Sequence, residues 1–240
     1  VLIDPTGNVD DAAVGHISVH SVISDPFSFY DELGAFPSET ALDRMVRLCS
    51  DEGVPLRAIG AAASSPAMGP QGIKTLLDLL DECADADLGI AYEPRDRFGL
   101  AYRARSDLYN QPPAATLSYA DGEVGGELRP VDDDHDTRND IRVTREGGSS
   151  VRTALEAGPL SVQEPPDGVG RYDDEVTVNV ATDDQLPHQA GWRLHLGTVN
   201  EARYPVLSVV LHSPRISDDL AAALLSLDCG DRLVVTDLPV

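Results

Sequence analysis

The densest cluster of potential metal ligands is Asp132-Asp-Asp-His-Asp136, whose hard carboxylate oxygens are of the kind that hold Ca²⁺ or Mg²⁺. An EF-hand loop needs alternating Asp or Asn ligands, a central Gly and a distal Glu, and although Asp132, Asp134 and Asp136 alternate, neither the Gly nor the Glu is at the required spacing, so the run reads as a solvated acidic turn. Asp4-Pro-Thr-Gly-Asn-Val-Asp-Asp11 reads the same way. Gly69-Pro-Gln-Gly72-Ile-Lys74-Thr75 has the outline of a phosphate loop, a glycine-rich turn leading through Lys-Thr into a helix. Only two residues separate its glycines, however, Ile73 intervenes before Lys74, and no strand is predicted ahead of it. Gly168-Val-Gly170 is a lone GxG in a Pro/Gly loop, without the strand-to-helix setting of a dinucleotide fold.

The six histidines, at positions 16, 20, 135, 188, 195 and 212, never form an HxxxH with an acid between them, so the zinc-protease pattern is missing. His16 and His20 are four apart in a strand-like run, which puts them on one face as a partly exposed surface pair. No Ser lies in GxSxG, no Cys has a local catalytic signature, and nothing points to a Ser-His-Asp triad assembled from distant segments. Gly147-Gly-Ser-Ser150 reads as a flexible turn at a domain border rather than a ligand-gripping loop. The expectation is therefore no catalytic, cofactor-binding or metal-binding residue, and no cofactor.

The elements that would position any site begin with short β-prone runs over residues 1–37, among them His16-Ile-Ser-Val-His-Ser-Val-Ile23. A first helix follows, capped by Ser38, with Leu42, Met45, Val46 and Cys49 on its apolar face and Gly53 at its end. After a loop from Gly60 to Gly72, a second helix from about Ile73 to Ala86 buries Leu76, Leu77, Leu80 and Cys83, stopping at Gly89. Ile90–Glu93 and Leu100–Arg105 flank a polar turn and predict a hairpin. From Asn110 to about Gly170 the chain is dense in Pro, Gly and Asp, with strands at Ala115–Tyr119 and Ile141–Thr144. The last third predicts strands at Glu175–Val180, Pro205–His212 and Arg232–Thr236, with helices opened by Thr182-Asp-Asp and Ser217-Asp-Asp. These divide the chain into a strand, helix and hairpin region (1–109), a loop-rich β region (110–172) and a closing β-α-β-α-β segment (173–240).

A net charge of −23 argues against nucleic acid or anionic membrane as a partner, because both demand phosphate neutralisation by Lys and Arg. Arg outnumbers Lys 17 to one, the usage of GC-rich coding, which fits an actinobacterial or halophilic setting. Cys49, Cys83 and Cys229 are far apart and read as buried free thiols rather than a disulfide framework or zinc site. No apolar run reaches the ~18 residues of a membrane span, and no signal peptide opens the chain. The first residue is Val1, so the chain is expected to be part of a longer protein.

The order of several segments carries a resemblance. Leu76-Leu-Asp-Leu-Leu, Ala86-Asp-Leu-Gly-Ile-Ala-Tyr-Glu93, Gly99-Leu-Ala-Tyr-Arg-Ala-Arg105, Asn139-Asp-Ile-Arg-Val-Thr-Arg-Glu-Gly-Gly-Ser149, Gly170-Arg-Tyr-Asp173, Arg203-Tyr-Pro-Val-Leu-Ser-Val and Leu227-Asp-Cys-Gly-Asp-Arg-Leu-Val-Val-Thr236 together resemble the minor tail proteins of long-tailed actinobacterial phages. The resemblance spans about residues 40 to 240. It implies an α+β fold like that of tail-tip or baseplate hubs, with β-barrel-like domains combined with small α/β domains. It further implies a ring, commonly a trimer, that links the tail tube to host-attachment parts, with tube, distal-tail, fibre or receptor-binding proteins as neighbours. The setting would be the virion tail, after synthesis in the bacterial cytoplasm, and the family transfers no catalytic residue.

Three rival readings stand beside this one. A carbohydrate- or cell-wall-binding module would use exposed aromatics as sugar platforms, yet aromatics are few and scattered and Trp192 falls inside a predicted helix. A peptidoglycan hydrolase would need two carboxylates at a defined separation, one with a raised pKa. A halophilic cytosolic protein would need molar salt to fold.

Overall fold

The computed structural model describes residues 36–131 and 136–238, and the β-prone runs before Phe36, with Asp4–Asp11, His16 and His20, lie outside them. Helix α1 (Ala41–Asp51) is capped by Thr40, whose Oγ1 accepts from Asp43 N at 3.1 Å. Ser38, the expected cap, is not used: its N–H is committed to Met68 O at 2.8 Å and its φ is +67°. Leu42, Met45 and Cys49 point inward as their spacing predicts, but Val46 faces solvent. The inward position falls to Arg44, which is fully buried and donates to Phe36 O and Gly69 O at 2.7 Å each and to Glu39 Oε2 at 3.2 Å. A buried guanidinium is tolerated only when its donors find acceptors, and here it ties the chain ahead of α1 to the loop after it.

Strand β1 (Leu56–Ile59), absent from the sequence expectations, runs parallel to β3 (Leu100–Arg103), which pairs antiparallel with β2 (Ile90–Tyr92). The β2–β3 hairpin is where the sequence puts it. Between β1 and β2 lies α2 (Leu76–Asp87), capped by Thr75. Its inward stripe is Leu79, Leu80, Cys83 and Ala86, so Leu77, expected inside, is largely exposed. The helix ends at Leu88, in the left-handed region, and Gly89 follows. A Cβ on Gly89 would sit 2.4 Å from the Tyr102 hydroxyl, so no larger residue fits this crossing.

The second sheet has order β6-β5-β7: β5 (Asp140–Arg145) pairs antiparallel with β6 (Ser150–Ala154) and parallel with β7 (Asp173–Val178). The pairing joins strands on either side of residue 172. Asn139 is fully buried and clamps the loop between β6 and β7, donating to Leu160 O (3.0 Å) and Gly170 O (2.7 Å) and accepting from Tyr172 N (2.8 Å). A short 3₁₀ turn, Asp183–Gln185, leads into α4 (Leu186–Gly197), preceded in the chain by the six-residue helix α3 (Arg105–Asn110).

One apolar core runs through both sheets: Leu42, Met45, Leu80, Cys83 and Tyr102 on one side meet Ile141, Val143, Val178, Leu186 and Ala190 on the other, with Met68 among them. The remaining part is a small lobe. In it β4 (Ala115–Ser118) pairs parallel with β8 (Leu233–Thr236), and α5 (Asp218–Ser226), capped by Ser217, lies alongside. The strand expected at Pro205–His212 does not form, because that segment finds no ladder partner among the described residues. The architecture is mixed helix and sheet, as expected; its sheets are small and open, and none closes into a barrel among the described residues.

The first sheet and both helices converge on Asp87. Its carboxylate accepts from Ser65 Oγ (3.0 Å), Tyr102 OH (2.7 Å) and Arg105 N (3.2 Å), while Ser65 Oγ also accepts from Leu42 N at 3.2 Å. Replacing Tyr102 by Phe keeps the ring but strips a fully buried oxygen of a donor, and chemical denaturation is expected to register a loss of about 1–3 kcal/mol.

Candidate functional site

The docking of the small lobe onto the first sheet forms a charged cleft of about 570 Å³, with Arg57, Arg95 and Arg103 facing Asp96, Asp228 and Asp231. Arg57 comes from β1 and Arg103 from β3, neighbouring strands in parallel register, so their side chains reach the same side. Arg57 Nη2 lies 3.3 Å from Asp228 Oδ2 and Nη1 lies 3.7 Å from Asp96 Oδ2. Arg103 Nη2 meets Asp231 Oδ1 at 2.6 Å and its Nη1 donates to Gln111 Oε1 at 2.8 Å. Arg95 donates to Leu225 O at 3.2 Å and to Leu227 O. Every guanidinium is thus already engaged by a carboxylate or carbonyl of the lobe. The arrangement holds two parts of the chain together; it does not leave three cations free for an anionic ligand.

The residues the sequence singled out are not brought together. Asp132–His135 lie outside the described residues, and Asp136 pairs with Arg203 at 2.8 Å on the surface. Lys74 passes Gly72 to pair with Glu82 at 2.8 Å, and Thr75 caps α2. Gly168 packs on the Ser161 and Gln163 backbone within the loop that Asn139 clamps. His188 and His195 are exposed on α4 and His212 is exposed in a turn. Among the described residues no three His, Cys, Asp or Glu side chains are placed to hold a metal ion.

Three readings of the sequence are corrected. Gly147–Ser150 is not a domain border but the tight turn joining β5 to β6, anchored by Asp183, which accepts from Ser149 Oγ and Arg145 Nε. Cys229 is exposed, because the lobe that carries it has little interior, whereas Cys49 and Cys83 are buried. The aromatics do cluster: Tyr109 stacks on Trp192 at 4.8 Å between centroids, His195 meets the indole edge-on at 5.8 Å, and the Arg105 guanidinium lies 4.9 Å from the ring. With Tyr109 and Arg105 already against it, the indole serves α3–α4 packing.

Elsewhere the surface carries one largely apolar groove. Gly53, Pro55, Leu76, Leu77, Pro94 and Phe98 line a groove beside the hairpin tip, and Phe98 itself is 93% exposed. No helix among the described residues is long and apolar enough to cross a membrane.

The chain matches no protein-family model and no curated protein. Among solved structures it is similar to the 43 kDa tail protein of prophage MuSo2 from Shewanella oneidensis, at 16% identity and a TM-score of 0.38 over 66% of this chain and 44% of that one. It is also similar to a tail protein from Neisseria meningitidis MC58, at 16% identity and a TM-score of 0.43 over 70% of this chain and 49% of that one. The chain thus spans less than half the length of either, and overlap at this level assigns no role to any of its residues.

Two outcomes follow. Burial pushes the Cys83 thiol up to about 12 and raises that of Cys49, so a native-state thiol titration at neutral pH should register Cys229 alone, the other two appearing only on unfolding. Hydrogen bonds from Ser149 and Arg145 hold Asp183 down to about 2, against an ordinary 3.8. A depressed carboxyl stabilises the fold above its unfolded value and loses that contribution as pH falls through the folded one. Between about pH 4 and pH 2 the wild type should therefore lose more stability, by urea midpoint, than Asp183→Asn.

Proposed function

We propose that this chain is a structural, non-enzymatic component of a bacteriophage tail, and within the tail a subunit of a tip or baseplate hub. There it forms a ring, a trimer in the family it resembles, that links the tube to host-attachment parts. The reading draws first on the ordered sequence resemblance across residues 40 to 240. The observation that carries it further is helix α5, whose run Leu-Ala-Ala-Ala-Leu-Leu is apolar yet contains no fully buried residue, with Leu225 64% exposed. An apolar helix only partly covered in one subunit is the expected state of a surface that another subunit completes. The exposed Ile73, Leu77 and Phe98 have the same character.

The charge also suits an assembling part. At −23 the free subunits repel one another, which favours solubility before assembly, and a negative lumen does not retain passing DNA. Burial of apolar faces then has to overcome that repulsion, so assembly should strengthen as salt rises within the physiological range.

A census of purified virions by mass spectrometry and cryo-EM should find this chain in a ring at the tail tip, and light scattering should show the purified chain associating, more so at higher salt. A tight monomer together with no ring in the virion would sink the reading. Clearing of host cell walls in a zymogram would count against its non-enzymatic half.

A further inference from the structure

The segment from Tyr204 to Pro214 carries no Asp, Glu, Lys or Arg, and Tyr204-Pro-Val-Leu-Ser-Val-Val-Leu211 is a strand by composition. Among the described residues, no backbone N–H from Tyr204 to His212 donates a hydrogen bond. Its only engaged carbonyls are Ser208 O, which accepts from Gly125 N at 2.7 Å, and Val210 O, which accepts from Ser213 N at 2.9 Å. Val206 is 70% exposed and Val210 is exposed as well. A strand-competent, uncharged run is held in place without a ladder.

The sheet of the same lobe lacks a strand. Two parallel strands alone are marginal in water, since parallel ladders are normally buried within larger sheets. Thr236 O accepts from Tyr119 N at 3.0 Å and Arg232 O from Ala114 N at 2.8 Å, so the even residues of β8 face β4 and the backbone groups of Leu233 and Val235 face outward. The outer edge of β4 is closed at its last residue by its own turn, where Ser118 N donates to Glu123 Oε2 at 2.6 Å and Glu123 N donates to Ser118 O at 3.2 Å, which leaves β8 the longer open edge. The free edge of this sheet is β8, whose Leu-Val-Val-Thr is uncharged.

The free strand and the free edge cannot meet within one copy as the chain is arranged. Gly125, which holds Ser208, follows directly on the turn that closes β4, so the free strand lies on the β4 side of the sheet while the open edge lies on the β8 side. Donor and acceptor on opposite sides of one subunit make a head-to-tail contact, which gives a ring where its rotation closes and an open filament where it does not.

We infer that residues 205–211 of one copy add as a strand to the outer edge of β8 in a second copy, through backbone hydrogen bonds to Leu233 and Val235. The inference rests on the ring reading above and specifies its joint. Neither surface carries charge, so the joint escapes the repulsion that the rest of a −23 chain imposes.

The test is hydrogen exchange of the full chain across a concentration series, with mass followed by light scattering. Protection at 206–211, 233 and 235 that rises together with mass is the expected result. Protection already complete at the lowest concentration would overturn the joint, since the strand would then be covered within its own chain, for instance by residues 1–35. Association with those amides exchanging freely would overturn the joint and leave the hub reading standing; a monomer at every concentration would overturn the joint, and the hub reading with it if virions also show no ring. Val206→Asp with Val210→Asp, at exposed positions and with folding checked by circular dichroism, should weaken association by about tenfold or more; association equal to wild type would overturn the joint.

Discussion

The buried carboxyl of Asp87 is the point on which the first half of the protein depends. It closes α2, at the negative end of the helix dipole, where an acid is disfavoured, and it is almost wholly removed from water. Such a group persists only if donors converge on it. Those donors come from the loop after β1 (Ser65), from β3 (Tyr102) and from the start of α3 (Arg105 N), and Ser65 in turn holds the first turn of α1. Satisfying one carboxyl therefore fixes four elements relative to α2, and it forces the close approach of Tyr102 that only glycine at position 89 allows.

That knot was not legible in the sequence, and the reason is physical. Periodicity reports which face of an element is apolar, so α1, α2, α4, α5, the β2–β3 hairpin and the strands at 115, 141, 175 and 233 could be read from the sequence, whereas the short α3 and β6 could not. It is blind to a polar residue that is buried because partners distant in the chain complete its hydrogen bonds. Arg44 and Asp87 both fall in this class, and Val46 and Leu77, expected in the core, face outward because the inward stripes include Arg44 and Leu79 instead. One signal was present, an Asp in the last turn of an otherwise regular helix, against the dipole. Strand β1 escaped notice because its Arg57 interrupts a run only four residues long.

The candidate site was less legible still. Arg57, Arg95 and Arg103 are unremarkable surface residues in one dimension, and their acceptors lie more than a hundred residues away. Conversely, the acidic runs that draw the eye in a sequence with 41 acids owe their prominence to composition. The overestimated strand at Pro205–His212 is informative for a different reason: its residues are those of a strand, and what is missing is the ladder beside it.

The molecule is joined by two unlike seams. Between the two larger sheets runs a continuous apolar core, whereas the small lobe is attached through guanidinium–carboxylate pairs and a few carbonyls. Contacts of the second kind are short in range, since a displacement of an ångström or two admits water and ends them. A packed core, by contrast, yields only when a whole layer of side chains is pulled apart. The lobe, held by Arg57–Asp228 and Arg103–Asp231, is therefore joined to the body by the seam that tolerates the smaller displacement.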